Sequence, residues 1–303
     1  MLAGENLASK HSSLNNIFKK RKNLMEKSER SSITIETNEF PWWLVVIGLI
    51  IAVIFILVVN APTFNDAFTT MTIGIATTIT ITLIAYAISL IIGLIVGLGR
   101  VSSNKIAKNV ATFYIEIVRG IPMLVLIFFI ALVVIPGGVD LIASIGTWLI
   151  SKGLSGIGTP LAEINIRMVS MSFRAIIALS LTYGAFSAEI YRAGIQSVHP
   201  GQIEAARSQG MSYGQTMRHV ILPQAIRNVL PAIGNDFIAM LKDSSLVSVL
   251  AVRDVTHLAR LYAGGSFRFT EAYSVLAVLY LTMTILLSLV VKLIERRIST
   301  NGK

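Results

Sequence analysis

The sequence contains no cysteine and few charged residues. The absence of cysteine excludes a disulfide framework, a thiolate zinc site, an iron–sulfur cluster and a cysteine nucleophile. Charged residues make up 14% of the chain, whereas a soluble domain usually carries about 25%. Because 54% of the residues are hydrophobic, the chain has too few charges to cover the surface of a water-soluble globule. A membrane protein is therefore the first hypothesis.

Motifs for nucleotide hydrolysis and for serine hydrolase chemistry are also missing. The only Gly-Lys pair, Gly302-Lys303, lacks the preceding Gly and the following Ser or Thr of a phosphate-binding loop. The segment Gly153–Ile157 comes near Gly-x-Ser-x-Gly but fails at its last position. The 4 histidines have no metal-ligand spacing. The sequence therefore predicts no metal site and no ATP hydrolysis by this chain.

Six apolar stretches are long enough, or nearly long enough, to cross a membrane, which takes about 20 residues. They cover residues 42–59, 67–99, 120–139, 175–188, about 228–249 and 272–291. The second is longer than one span requires, so its first turns are expected at the interface or in the protein interior. The pattern predicts an all-α membrane protein with about six transmembrane helices.

The basic residues predict which way the chain crosses the membrane. The net charge is +10, and Lys and Arg concentrate in the N-terminal tail and around residues 100–108, 192–227 and 292–303. With six spans all of these regions fall on one side, and the positive-inside rule makes that side the cytoplasm. Both chain ends are therefore expected inside. The positive excess is interpreted as loops that face anionic lipid, with no nucleic acid partner.

The predicted domain organisation has three parts. A polar cytoplasmic tail, residues 1–40, precedes an extra transmembrane helix, residues 41–60. The remaining spans form a core, residues 67–297. Within the core, the Gly- and Pro-containing segment 136–172 is expected to be an external loop, with a short interfacial helix at 141–150.

The long loop after the fourth span carries local signals for two short helices. Pro200 suits the first turn of a helix, and Gly210 suits the left-handed residue after its end. Ser212, with Gln215 three residues on, is a capping-box pattern, and Pro223 marks the end of the second helix or a kink. The loop is therefore predicted to be a helix–turn–helix. It either packs on the chain's own loops or presents a surface to another protein.

Five short segments carry motifs that occur together in one order. The first is Glu204-Ala205-Ala206, with Gly210 and then Ile221-Leu222-Pro223. The others are residues 116–124 (EIVRGIPML), 183–194 (with AEIYRA), 222–227 (LPQAIR) and 242–246 (KDSSL). The first resembles the EAA loop of bacterial ABC-importer permeases, with a contracted ending. Together they resemble the polar amino acid uptake branch over about residues 70–297, although Ile121 and Ala193 replace a usual Thr and Gly.

The resemblance implies a function and a set of partners. It implies a five-helix permease core, not an enzyme, in the bacterial cytoplasmic membrane, moving a polar amino acid by alternating access. The residues that would couple the core to a separate ATPase are Glu204, Ala205, Ala206, Gly210, Ile221, Leu222 and Pro223. The implied partners are two ATPase subunits, a second identical or related permease subunit, an extracytoplasmic amino acid-binding protein and lipid. This chain would hold no cofactor, since the ATPase binds ATP and magnesium.

Polar residues interrupt the fifth apolar stretch. The set comprises Asn235, Asp236, Lys242, Asp243, Ser244 and Ser245. Asp236 and Asp243 are seven residues apart and therefore share a helix face. The set either lines a translocation path that meets the ammonium and carboxylate of an amino acid, or it holds a structural ion pair of Lys242 with one aspartate.

The sequence does not decide the roles of two charged pairs, and it leaves two alternative functions to consider. Glu116 with Arg119, and Glu189 with Arg192, are three residues apart, so each is either a structural pair or part of a gate. A self-gated ion or solute channel would not need the elaborate loop. An intramembrane enzyme would need a catalytic set in the spans, and the sequence offers none.

Overall fold

A computed structural model describes residues 42–300 of the chain. The chain divides into two units, Met1–Ala52 and Val53–Lys303, and helix α1, Trp42–Asn60, crosses the boundary between them. The predicted tail, residues 1–40, lies outside the described residues. The architecture below is that of the second unit.

The described part of the chain is built from helices joined by short turns, without a strand. After α1 come α2 (Pro62–Thr72), α3 (Ile75–Val101), α4 (Lys105–Gly120), α5 (Met123–Phe129), a π-turn (Ile130–Val134), α6 (Ile135–Ser151), α7 (Ser155–Ala162), a 3-10 turn (Ile166–Met168) and α8 (Met171–Gln196). Then come α9 (Pro200–Ser208), α10 (Tyr213–Thr216), a second π-turn (Met217–Ile221), α11 (Leu222–Asp243), a 3-10 segment (Ser244–Leu250), α12 (Val255–Ser266) and α13 (Phe269–Thr300).

Four helical stretches of the described chain are long and apolar enough to cross a membrane. They are Pro62–Val101, Met123–Ser151, Met171–Gln196 and Phe269–Arg297, and the apolar helix Val45–Asn60 is shorter. Helix α11 also has span length, with 22 residues, but it carries the charged side chains of the fifth stretch. The predicted class, an all-α membrane protein, is confirmed.

The long second apolar stretch is divided between two helices, and its first turns lie in the protein interior, which is one of the two places expected from its length. The break falls at Ile73 and Gly74, between α2 and α3. Ala67 and Met71 on α2 are fully buried and pack with α12 and α13, so these turns lie in the protein interior. A Cβ on Gly74 would lie 2.6 Å from the backbone carbonyl carbon of Asp254, which shows how closely the start of α12 rests on this corner.

The segment 136–172 is more helical than predicted, although its predicted short helix at 141–150 lies within α6. Pro136 sits in the first turn of α6, directly after a π-turn, and the helix then continues to Ser151. Helix α7 folds back on α6, so the two form a helical hairpin. A Cβ on Gly146 would lie 2.3 Å from the backbone nitrogen of Ala162, so the two backbones touch. Glycines that suggested a loop instead permit close helix packing.

The core of the unit is the close pair α3 and α8. A Cβ on Gly93 would lie 2.5 Å from the Cβ of Ser187, and one on Gly97 would lie 2.9 Å from the carbonyl oxygen of Ala188. The Ser180 hydroxyl lies 3.2 Å from the Ala85 carbonyl oxygen that accepts its hydrogen bond. Such small-residue contacts hold helices together where the surrounding solvent is apolar. Helices α5 and α11 pack around this pair.

Candidate functional site

A cavity of about 540 Å³ lies between α4, α8 and α11. This volume is in the range of small-molecule sites. Its lining residues are Arg119, Phe186, Glu189, Ile190, Ala193, Gly194, Ser197, Asn228, Ala232 and Asp236. Three of the sequence candidates, Arg119, Glu189 and Asp236, therefore meet in one place although they come from three helices.

Arg119 lies at the end of α4 and contributes a cation to the cavity. Its guanidinium carbon is 5.8 Å from the ring centroid of Phe186, a cation–π distance. The predicted pair of Glu116 with Arg119 does not form. Glu116 instead lies 3.4 Å from Arg100. Among the described residues the guanidinium of Arg119 makes no ion pair and is therefore available to an anionic group.

Glu189 on α8 is already neutralised by the protein. The Arg192 Nε donates to both of its carboxylate oxygens at 3.0 and 2.9 Å, so the predicted pair of these two residues is present. The Nε of Arg100 lies 3.9 Å from the same carboxylate. The guanidinium of Arg119 also acts on this carboxylate from a greater distance, so with three guanidinium groups around it Glu189 adds little free negative charge to the cavity.

Asp236 on α11 is the carboxylate of the cavity that has no cationic partner in the described chain. It accepts a hydrogen bond from the Ser187 hydroxyl at 3.3 Å. Two turns later on α11, Asp243 accepts one from the Tyr183 hydroxyl at 2.7 Å. Both acids thus face α8, as their spacing predicted. A partly buried, unpaired carboxylate strongly favours a cationic ligand.

The other polar residues of the fifth stretch do not line the cavity. Asn235 and Lys242 are exposed, Asp243 and Ser245 are partly buried, and Ser244 is buried and donates to the Leu241 carbonyl at 2.7 Å. Lys242 makes no ion pair in the described part of the chain, so the alternative of a structural pair with an aspartate is not realised.

Asn228 is a cavity residue that the sequence analysis missed. Its side-chain amide donates to the Ser197 hydroxyl at 2.8 Å, and both residues line the cavity. The signal was present, because Asn228 precedes Asp236 by eight residues and so lies near the same helix face.

The EAA loop, residues 193–224, has the local structure that its residues predicted. Pro200 stands in the first turn of α9, and Gly210 has a positive φ of 81°. The Ser212 hydroxyl accepts from the Gln215 amide at 3.3 Å, while the Gln215 side chain accepts from the Ser212 amide at 2.8 Å. The capping box is therefore complete.

The two neighbouring alanines of this loop, Ala205 and Ala206, differ in solvent exposure. Glu204 and Ala205 are exposed, whereas Ala206 is only 6% exposed. Of the two alanines that the resemblance implies for ATPase coupling, only Ala205 is exposed to a partner, whereas Ala206 packs inside this chain. Ile221 is also buried, while Leu222 is 42% exposed at the start of α11. Pro223 lies in the first turn of α11, directly after the π-turn, and so stands at the start of a helix.

The EAA loop joins the two helices that carry the carboxylates of the cavity. It leaves the end of α8, seven residues after Glu189, and enters α11, which holds Asp236. Close to this junction, a Cβ on Gly194 would lie 2.1 Å from a methyl group of Val229. A displacement of the loop therefore reaches two walls of the cavity directly.

An all-helical membrane bundle with a cavity that holds a few charged side chains, and an exposed helix–turn–helix beside it, fits a membrane transport component. Residues 89–300 match the family described as binding-protein-dependent transport system inner membrane component, and the chain belongs to that family. It is a permease subunit of an ABC importer, in the cell membrane, and not an enzyme.

Individual relatives agree with this assignment. The glutamine transport system permease protein GlnP of Escherichia coli K12 is 33% identical over 224 residues, which is 74% of this chain and 90% of that protein. The probable glutamine permease GlnM of Bacillus subtilis is 34% identical over 239 residues, with 79% and 98% covered. A crystal structure of an amino acid ABC transporter with histidines matches with a TM-score of 0.61 and 38% identity, over 76% of this chain and 94% of that chain.

Proposed function

We propose that this permease subunit imports a polar amino acid by alternating access, driven by a separate ATPase that docks on the EAA loop. The observation that carries the proposal is the connection just described: one exposed loop joins the helices of both cavity carboxylates. A partner that moves this loop would change the cavity. The relatives named for glutamine transport support the class of cargo.

The charges of the cavity fit the two ends of an amino acid. Arg119 would receive the α-carboxylate, since its guanidinium has no ion-pair partner in the described chain. Asp236 would receive the ammonium group, since it is the cavity carboxylate without a cation. Glu189 would hold the neighbouring guanidinium groups of Arg100 and Arg192 in place rather than contact the cargo.

The EAA loop would transmit force through α9. Glu204 and Ala205 form its exposed surface, and the buried Ala206 fixes α9 to the rest of the chain. ATP and magnesium would be bound by two ATPase subunits, and a second permease subunit, identical or related, and an external binding protein would complete the importer. The loop end of the bundle would face the cytoplasm, in the six-span, N-in and C-in arrangement that the charges predict.

Cross-linking tests the docking surface. The natural chain has no cysteine, so a single introduced cysteine reports one position. In complexes purified gently from native membranes, we expect Ala205→Cys to cross-link to a P-loop ATPase and the buried Ala206→Cys to react far less. Absence of an ATPase from the purified complex, or equal reaction at both positions, contradicts the docking proposal.

An uptake assay tests the cavity. The complex, reconstituted with its binding protein in vesicles, would be given radiolabelled amino acids. Asp236→Asn should lower uptake by about tenfold or more, because a charge-assisted hydrogen bond is lost. Asn235→Ala, at the neighbouring exposed position outside the cavity, is the matched control and should leave uptake unchanged. Uptake that survives Asp236→Asn, or ion conductance without ATP, would contradict the assignment.

A further inference from the structure

Helix α4 has three distinct faces. Ala111, Ile115 and Val118 are buried against the bundle. A polar face, spaced at three or four residues, consists of Lys105, Lys108, Thr112, Glu116 and Arg119. A third face is a stripe of exposed apolar side chains at the same helical spacing, Ile106, Val110, Phe113 and Ile117, with 76%, 63%, 69% and 43% of their surfaces exposed. We call these four residues the α4 stripe.

Helix α4 packs against α3 and α8 with its buried face. At its middle, the Cβ of Ala111 is 3.4 Å from where a Cβ on Gly99 would lie. Near its end, Val118 packs in a cluster with Ala185 and Ala188 of α8. Gly97 lies against Ala188, so the middle and the last turns of α4 contact α3 and α8 where these two helices pack together. A helix that carries an apolar face and a basic polar face is typical of a membrane interface.

The α4 stripe continues into a surface that faces the membrane. After the break at Pro122, α5 exposes Leu124, Val125 and Phe128 at 38%, 52% and 37%. Helix α5 belongs to the span-length apolar stretch Met123–Ser151. Because this neighbouring surface must meet lipid, the same apolar layer extends over the α4 stripe.

Two cations lie beside the stripe without a protein partner. Lys105 and Lys108 are exposed, and within residues 42–300 neither ammonium group forms an ion pair. The nearby acid Glu116 is used by Arg100 instead. Lysines on the polar side of an apolar interfacial helix attract anionic headgroups, at about 1 kcal/mol for each residue near the surface.

We propose that α4 is an interfacial helix that binds anionic phospholipid, with the α4 stripe among the acyl chains and Lys105 and Lys108 at the phosphates. The inference is independent of the cargo and of the ATPase. Helix α4 would then contact both lipid and the cavity, because its last turn carries Arg119, which lines the cavity.

Fluorescence quenching tests the position of the stripe. Phe113→Cys and the polar-face control Glu116→Cys would be labelled in the full complex, in vesicles of phosphatidylcholine and phosphatidylglycerol. Spin-labelled lipid should quench the label at position 113, and aqueous iodide should quench the label at 116. Equal access of iodide to both labels overturns the proposal. So does protection of position 113 from both quenchers, which would mean that another protein covers the stripe.

Lipid binding tests the two lysines. Lys105→Gln and Lys108→Gln should each weaken retention of phosphatidylglycerol by about fivefold, and the double variant by about 25-fold. Lys152→Gln, in the turn between α6 and α7, makes the same charge change away from α4 and should have little effect. Mass spectrometry of lipids bound to the intact complex provides the measurement. If the double variant keeps its preference for phosphatidylglycerol over phosphatidylcholine, the anionic-lipid proposal is wrong.

Discussion

Two helix–turn–helix segments of this permease are built in opposite ways. The α6–α7 hairpin is held by backbone contacts between helices, with Gly146 against Ala162, and a Cβ on Gly158 would lie 2.7 Å from the Gly146 carbonyl oxygen. The EAA loop is shaped mainly by local caps, and Gly210 and Gly214 have open space around them. The hairpin has no space for larger side chains at its touching glycines. The EAA loop keeps its local structure and leaves a surface exposed.

The difference indicates how each segment can serve transport. A hairpin with touching backbones resists motion, because any shift opens a gap or makes a clash. The EAA loop has fewer contacts with the bundle, and a partner can bind its exposed helix α9 without unfolding the bundle. Three substitution pairs test whether the contrast between a packed and a capped segment is real.

The largest effect is expected at the hairpin. Gly146→Val should lower the free energy of unfolding by about 3 kcal/mol, because the new side chain overlaps the backbone of α7. The measurement is the thermal unfolding midpoint of the purified complex, together with protease sensitivity of the α6–α7 turn. Gly156→Ala, in the same hairpin but with open space around it, should not destabilise. Equal effects of both substitutions would remove the argument for backbone contact.

A smaller effect with a functional readout is expected at Gly210. Valine at its positive φ should cost about 1–2 kcal/mol of backbone strain and turn α9 away from its docked angle. ATP-driven uptake should fall, while the unfolding midpoint should fall less than in Gly146→Val. Gly214→Ala lies inside α10 with free space and should instead stabilise by up to about 1 kcal/mol. Unchanged ATP-driven transport in Gly210→Val would contradict the role of this turn.

The smallest effect is expected at the capping box. Ser212→Ala removes the acceptor of the Gln215 amide and should cost about 1 kcal/mol locally. Hydrogen exchange at residues 213–216 should become about fivefold faster, while exchange in the α6–α7 hairpin stays constant. Ser208→Ala, exposed in the last turn of α9, is the control. If both serine variants behave alike, the loop is held by packing and resembles the hairpin more closely.

The EAA loop could be predicted residue by residue because its signals are local. Pro200, Gly210 and the pair Ser212 and Gln215 act on backbone within one turn of themselves, so no knowledge of the fold is needed. The shared face of Asp236 and Asp243 follows from helix geometry in the same way.

The hairpin and the cavity could not be predicted in full because they depend on contacts between distant segments. Pro136, Gly137 and Gly138 indicate a loop in a soluble chain, yet here they continue a helix after a π-turn, which membrane helices tolerate. The spacing of Glu116 and Arg119 allowed either a pair along one helix or part of a gate, but Glu116 pairs with Arg100 from α3. The exposure of Ala205 and burial of Ala206 likewise depend on how α9 is set against its neighbours.

The glycine contacts between α3 and α8 have a use in spectroscopy. Gly93 and Gly97 bring the two backbones so close that we expect the pair to move as one body through a transport cycle. Two spin labels, one on α3 and one on α8, should therefore keep a constant separation in every nucleotide state and provide a reference distance. The distance between labels on α3 and α11 can then be compared with that reference, and no native cysteine competes for the label.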